Sequence, residues 1–239
     1  MTKLKKPLKE PHSSHSFLSD FILGSQDGLV NILGILLGVS AATSDVRIIF
    51  VAALAALGAE SISMGAVAYT STVARRRQYL KEVSREQREM NDLPAEEVEE
   101  VRGILRAWGY VGEQLQTLTS HIASNPKAML EFMMSFELKM SPIEKNEARR
   151  SFVVVLSSTV FGSIVPLIPF FFVTSANIAY ATVASVVMSA SLLFFMGAYE
   201  ARTTVGSMWW SGLQMTAIGL TAGFAGYLIG RVIGATPGL

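Results

Sequence analysis

The chain has 239 residues, half of them hydrophobic and only 16% charged, and its mean hydropathy is +0.39, which is a membrane profile rather than a soluble one. With a net charge of +1 no overall basic field argues for nucleic acid, and no interleaving of aromatic and basic residues does either. The absence of cysteine excludes disulfide scaffolds and thiolate clusters, so any metal must be held by oxygen, imidazole or thioether.

Residues 1–20 read as a basic cytoplasmic tail, with Lys3, Lys5, Lys6, Lys9 and the pair His12 and His15. The first apolar run follows this polar stretch and has no small-residue cleavage site after it, so its helix is expected to stay in the mature protein. That span runs from about Phe21 to Thr43, is interrupted by Asp27, and carries Gly24, Gly28, Gly34 and Gly38 as two small-xxx-small pairs that permit close helix contact. Asp27 lies about 10 Å along the helix from Asp20, inside or at the inner edge of the hydrocarbon. Ser25 and nearby backbone amides could satisfy it there without any function.

The second span begins near Ile48. Up to Ala74 its single charge is Glu60, and it leads into Arg75, Arg76 and Arg77. At about 1.5 Å per residue, Glu60 falls near the midplane of a hydrocarbon core about 30 Å thick, where an unpaired charge is costly. Met64, one turn on, shares its face, so a carboxylate and a thioether project together and suggest a path for a transition metal.

Residues 75–150 hold 13 of the 19 acidic and 13 of the 20 basic residues, and read as a soluble helical insert. Its periodicity predicts one helix from Arg75 to Met90, a break over 91–94 with Asp92 as N-cap and Pro94 in the first turn, and a second helix from Ala95 to Trp108. Gly109 reads as a stop, and a third helix is expected from Asn125 to Met140. Glu86 and Glu89 are spaced i, i+3, as are Glu97 and Glu100, so each pair projects from one helical face. Two such faces brought together present four carboxylates, an oxygen shell for a divalent cation. Taken alone, glutamate-rich faces are more often simply solvated. Met133, Met134 and Glu137 add thioethers beside an acid, a set that suits a borderline transition ion better than calcium or magnesium, although a methionine pair by itself is more often core.

Residues 151–199 contain no charge and are too many for one span. Two helices fit, broken near 174–177, with Pro166 and Pro169 bending the first. A fifth span runs from Thr203 to Gly230 behind the interfacial pair Trp209 and Trp210. Basic residues cluster on the side of the tail and insert, so the N-terminus and insert are expected in the cytosol and the C-terminus outside or in a lumen. The expected fold class is an all-α integral membrane protein: a tail (1–20), spans 1 and 2 (21–74), a three-helix cytoplasmic metal-binding domain (75–150), and spans 3 to 5 (151–239).

Several short motifs now fall together in order: Ser25 to Leu29, Ile62 to Gly65, Arg85 to Gln87 with Pro94, Phe132 to Leu138, and Val165 to Pro169. With them the chain resembles the vacuolar iron transporter family over nearly its whole length from Leu18. The resemblance implies a five-span homodimer that exchanges cytosolic ferrous iron for protons, with a pathway between the first two helices of each subunit. It implies Asp27 and Met64 as pathway residues, and Glu86, Glu89, Glu97, Glu100, Met133, Met134 and Glu137 as ligands of the cytoplasmic domain. The family's second-span acid sits eight residues before the methionine, where this chain has Ala56. Glu60 is therefore read from its own place in the helix, one turn from Ala56 on the same face.

The expected function is a proton-coupled exporter of ferrous iron, with manganese and zinc as further candidate ions and no prosthetic group. It would serve a vacuole-like membrane in a eukaryote or the cell membrane in a prokaryote. A membrane-anchored carboxylate-bridged iron oxidase and a metal sensor are the competing readings. Against the oxidase, the sequence has no Glu-x-x-His motif and the insert's only histidine is His121. Nor is there a Gly-x-x-x-x-Gly-Lys loop for an ATP-driven pump.

Overall fold

The computed structural model describes residues 14–235, apart from Val205. Lys3, Lys5, Lys6, Lys9 and His12 lie outside the described residues. Helix α1 (Ser14–Ala42) takes in residues 14–20, which were expected to end a tail. Then come α2 (Val46–Asp92), α3 (Pro94–Ala107), α4 (Gly112–Ala123) and α5 (Pro126–Phe132), the last running into a π turn over Met133–Glu137. The chain continues with α6 (Glu147–Leu167), extended by a 3-10 turn (Ile168–Phe172), then α7 (Ile178–Thr203) and α8 (Met208–Gly234). Among the described residues five helices are long and apolar enough to cross a membrane: α1, α2, α6 with its 3-10 extension, α7 and α8. The chain is an all-α, multi-pass membrane protein.

Two compact units divide it, one built from the chain up to Tyr69 and from Arg149 onward, the other from Thr70–Ala148. In the first unit the glycines of α1 are used on two faces. A Cβ at Gly24 would lie 2.7 Å from the Val155 carbonyl oxygen of α6, and one at Gly28 would collide with the Thr159 carbonyl of the same helix. Further along, Gly34 and Gly38 meet α8, where a Cβ at Gly226 or Gly230 would strike their backbone carbonyls. Small-residue spacing serves contact between helices of one chain here. Buried Ile32, Leu36, Ile49, Ala53, Leu167 and Phe170 form one core cluster with α7, and Leu29, Leu193, Met196 and Met215 form another.

Proline shapes the end of α6. In a 3-10 turn the Pro166 carbonyl would accept from residue 169, a proline with no N–H. The buried Ser185 hydroxyl of α7 donates to that carbonyl instead, at 2.7 Å.

The second unit departs from the expected three helices. From Ala66 to Leu93 there is neither glycine nor proline, so α2 continues unbroken to Asp92, about 70 Å in all. The break is a single residue: Leu93 occupies the N-cap position of α3 without a side-chain bond, and Asp92, expected there, ends α2. Gly109 ends α3 as its left-handed residue (φ +93), with the Tyr110 N–H on the Leu105 carbonyl and its own N–H on that of Arg106. Helix α4 was not foreseen, because its apolar positions Leu115, Leu118 and Ile122 are few and Gly112 opens it. The expected third helix is instead short, capped by Asn125, whose side chain accepts from the Lys127 and Ala128 N–H groups, and it ends at the π turn. Val101, Leu105, Leu115, Met129, Phe132 and Met133 are the core of this unit.

Candidate metal centre

The acids of the second unit converge. Ligand oxygens of Glu86, Glu89 and Glu97 lie within 4.8 Å of one another, close to the span of about 4–5 Å across a divalent cation's oxygen shell. Helix α2 supplies Glu86 and Glu89, and α3 supplies Glu97, whose neighbour Glu100 stands exposed at the rim. Glu86 and Glu97 are almost fully buried, at 1% and 4% exposure. Among the described residues four carboxylate oxygens are buried without a hydrogen bond, one each on Glu82, Glu86, Glu97 and Glu137, and that of Glu82 is ion-paired with Arg85. Such orphaned oxygens carry a large desolvation cost, which a cation or proton relieves.

Burial and the neighbouring acids raise the affinity of these groups for protons. Burial, followed by the charge of Glu100, pushes Glu97 up to about 7. Burial, then the charges of Glu100, Glu86 and Glu97, brings half-buried Glu137 to about 7 as well. Burial also raises Glu86, with Glu89 adding to the rise and Arg85 opposing it. Met133 and Met134 are buried on the π turn that ends at Glu137, with Met133 in the apolar core of the unit, and the Leu138 N–H reaches back to the Met133 carbonyl at 3.1 Å. All seven residues expected as ligands belong to this unit.

Arg85 was missed as a participant. Its guanidinium lies 3.1 Å from Glu82, 3.7 Å from Glu86 and 3.2 Å from Glu89. Its spacing, three residues after Glu82 and four before Glu89, would have disclosed it.

In the first unit the membrane-spanning acids also meet. Asp27 adjoins Glu60, close enough for their side chains to hydrogen-bond. The Asn31 amide donates to Glu60 Oε1. Ser25, the candidate partner of Asp27, donates to the Phe21 carbonyl at 2.7 Å instead. Met64 is half-buried one turn beyond Glu60. Ala56 packs against the core cluster around Ile32 and Phe170, so an acid there would face apolar neighbours, whereas Glu60 faces polar ones.

Five apolar spans, a cluster of acids in the second unit and a further pair of acids within the spans describe a multi-span membrane protein with carboxylates gathered at two places. The VIT family model matches residues 18–231, and the chain belongs to that family. It is 34% identical over 214 residues to vacuolar iron transporter 2 of Oryza sativa subsp. japonica, covering 90% of this chain and 86% of that one. Vacuolar iron transporter of Centaurea cyanus is 32% identical over 228 residues, with 93% and 92% covered. That of Plasmodium falciparum (isolate 3D7) is 31% identical over 224 residues, with 90% and 82% covered.

Proposed function

We propose that this protein is a proton-coupled transporter that moves ferrous iron out of the cytosol, with manganese as a second cargo. The observation that carries this reading is the set of buried, unpartnered carboxylate oxygens of Glu86, Glu97 and Glu137, the last of these on the π turn that also carries the buried methionines Met133 and Met134. Oxygen alone suits calcium or magnesium; oxygen with thioether suits a borderline transition ion such as ferrous iron. The names of the relatives agree with iron as cargo.

The cluster gathers metal on the cytosolic side, and Asp27, Glu60 and Met64 carry it through the membrane. A carboxyl pair such as Asp27 and Glu60 takes up either a proton or a cation, because both bind the same oxygens, and this competition couples the two fluxes. Two copies of the chain work together in this reading. Exposed Asn31 sits at the edge of a groove of about 540 Å³ lined by Gly34, Gly38, Gly226, Gly230 and Ile233, a surface on which another helix packs closely. The tail and Thr70–Ala148 face the cytosol, and the receiving side is a vacuole-like lumen or the cell exterior.

The test is flux into proteoliposomes under an imposed proton gradient, comparing ferrous iron, manganese and zinc. Gradient-dependent iron flux in the wild type, abolished in Asp27→Ala and at least about tenfold slower in Glu60→Gln, is the expected result. No flux of any metal from folded, inserted protein overturns the reading.

A further inference from the structure

Asn31 is no ligand in the transport reading, yet it holds the carboxylate on which that reading depends. It lies four residues after Asp27 on α1, so the two side chains leave the same face about one turn apart. Both reach the same group on α2: the Asn31 amide donates to Glu60 Oε1, and Asp27 adjoins Glu60 as well. Glu60 is thus gripped from α1 by one neutral donor and one acid.

We propose that Asn31 is a positioning residue of the intramembrane cation path, fixing the Glu60 carboxylate beside Asp27 so that acids from two helices serve one divalent cation. The inference rests on the transport reading above. Two physical arguments carry it. Glutamate has three rotatable side-chain bonds, and without a partner Glu60 would sample many positions; a charge-assisted hydrogen bond selects one. The donor is also neutral. A lysine or arginine would orient the carboxylate but cancel the charge that attracts the cargo. An amide orients Glu60 and leaves its charge available. This further explains how an acid one turn from Ala56 serves the path: α1 supplies the group that holds it.

The experiment compares Asn31→Leu, Asn31→Gln and Glu60→Gln in proteoliposomes, reading initial iron flux against iron concentration. Asn31→Leu should raise the half-saturating concentration about tenfold and change the maximal rate less than about twofold, the loss expected of one hydrogen bond to a charged group. Asn31→Gln, which keeps an amide, should recover most of that. In a Glu60→Gln background the leucine substitution should add nothing, since its effect runs through Glu60. Asn31→Ala replaces the leucine variant if that one fails to insert. An unchanged half-saturation in the variant, or an effect that adds in full to that of Glu60→Gln, overturns the proposal. Infrared difference spectra provide a readout independent of flux. The carboxylate band lost in Glu60→Gln should shift in Asn31→Leu, and a band that does not move overturns the positioning role even if no metal is carried. Absence of wild-type flux, by contrast, sinks the transport reading.

Discussion

At the level of single residues, the acids of the second unit tie stability, protons and metal together. Glu97 and Glu137 bind protons up to about pH 7 in the folded chain, against an ordinary value of 4.5. Between those values the folded state holds protons that the unfolded state has released, so stability is full at the acid end and is lost as pH rises through about 7. Melting of the chelator-treated protein should therefore fall in temperature from about pH 5 to about pH 7.5. Manganese should restore it at the higher pH and do little at the lower one, because it replaces protons that have left. Calorimetry or a thermal-shift assay checks this, and a melting temperature that rises with pH in the absence of metal contradicts it. The membrane acids show a second residue-scale rule: Ala56 and Glu60 lie one turn apart, but only Glu60 meets polar partners, Asn31 and Asp27.

Helices decide whether those residues can meet. The long α2 carries Glu60 and Met64 as well as Glu86 and Glu89 because neither glycine nor proline follows Gly65 until Pro94. The π turn carries Met133, Met134 and Glu137 on one short segment. Glu137→Gln keeps the size of that side chain and removes its charge, so metal affinity of the full-length protein should weaken by at least about tenfold while far-UV circular dichroism stays near that of the wild type. Affinity that survives the substitution would take Glu137 out of the ligand set. Asn125→Ala should cost about 1 kcal/mol by removing the cap of α5, read from denaturation of the purified protein.

At the scale of the whole molecule, glycine packing sets how close the membrane helices lie. Gly230→Val places side-chain atoms against the Gly38 backbone and should destabilise by about 1–3 kcal/mol or more, seen as a lower melting temperature in detergent. Gly58 has open space where a Cβ would sit, so Gly58→Ala should leave the melting temperature unchanged or raise it, through better helix propensity. Equal damage from both would mean that close helix approach is not what these glycines provide. Five apolar runs, the charged stretch between the second and third, and the spacing of Glu86, Glu89, Glu97 and Glu100 are all local features of composition and period, and they were readable in the chain. So was Gly109 as a helix end, since its cap is built within a few residues. The continuity of α2 through residue 92, the helix Gly112–Ala123, the π turn, the grip of Asn31 on Glu60 and the entry of Arg85 among the acids were not read there. Most of these depend on which faces are packed together, and packing overrides local preference. Helix α4 is too sparsely apolar to declare itself and is held by Val101, Leu105 and Met129. Asn31 lies 29 positions before Glu60, and only the folding of α1 against α2 makes them neighbours.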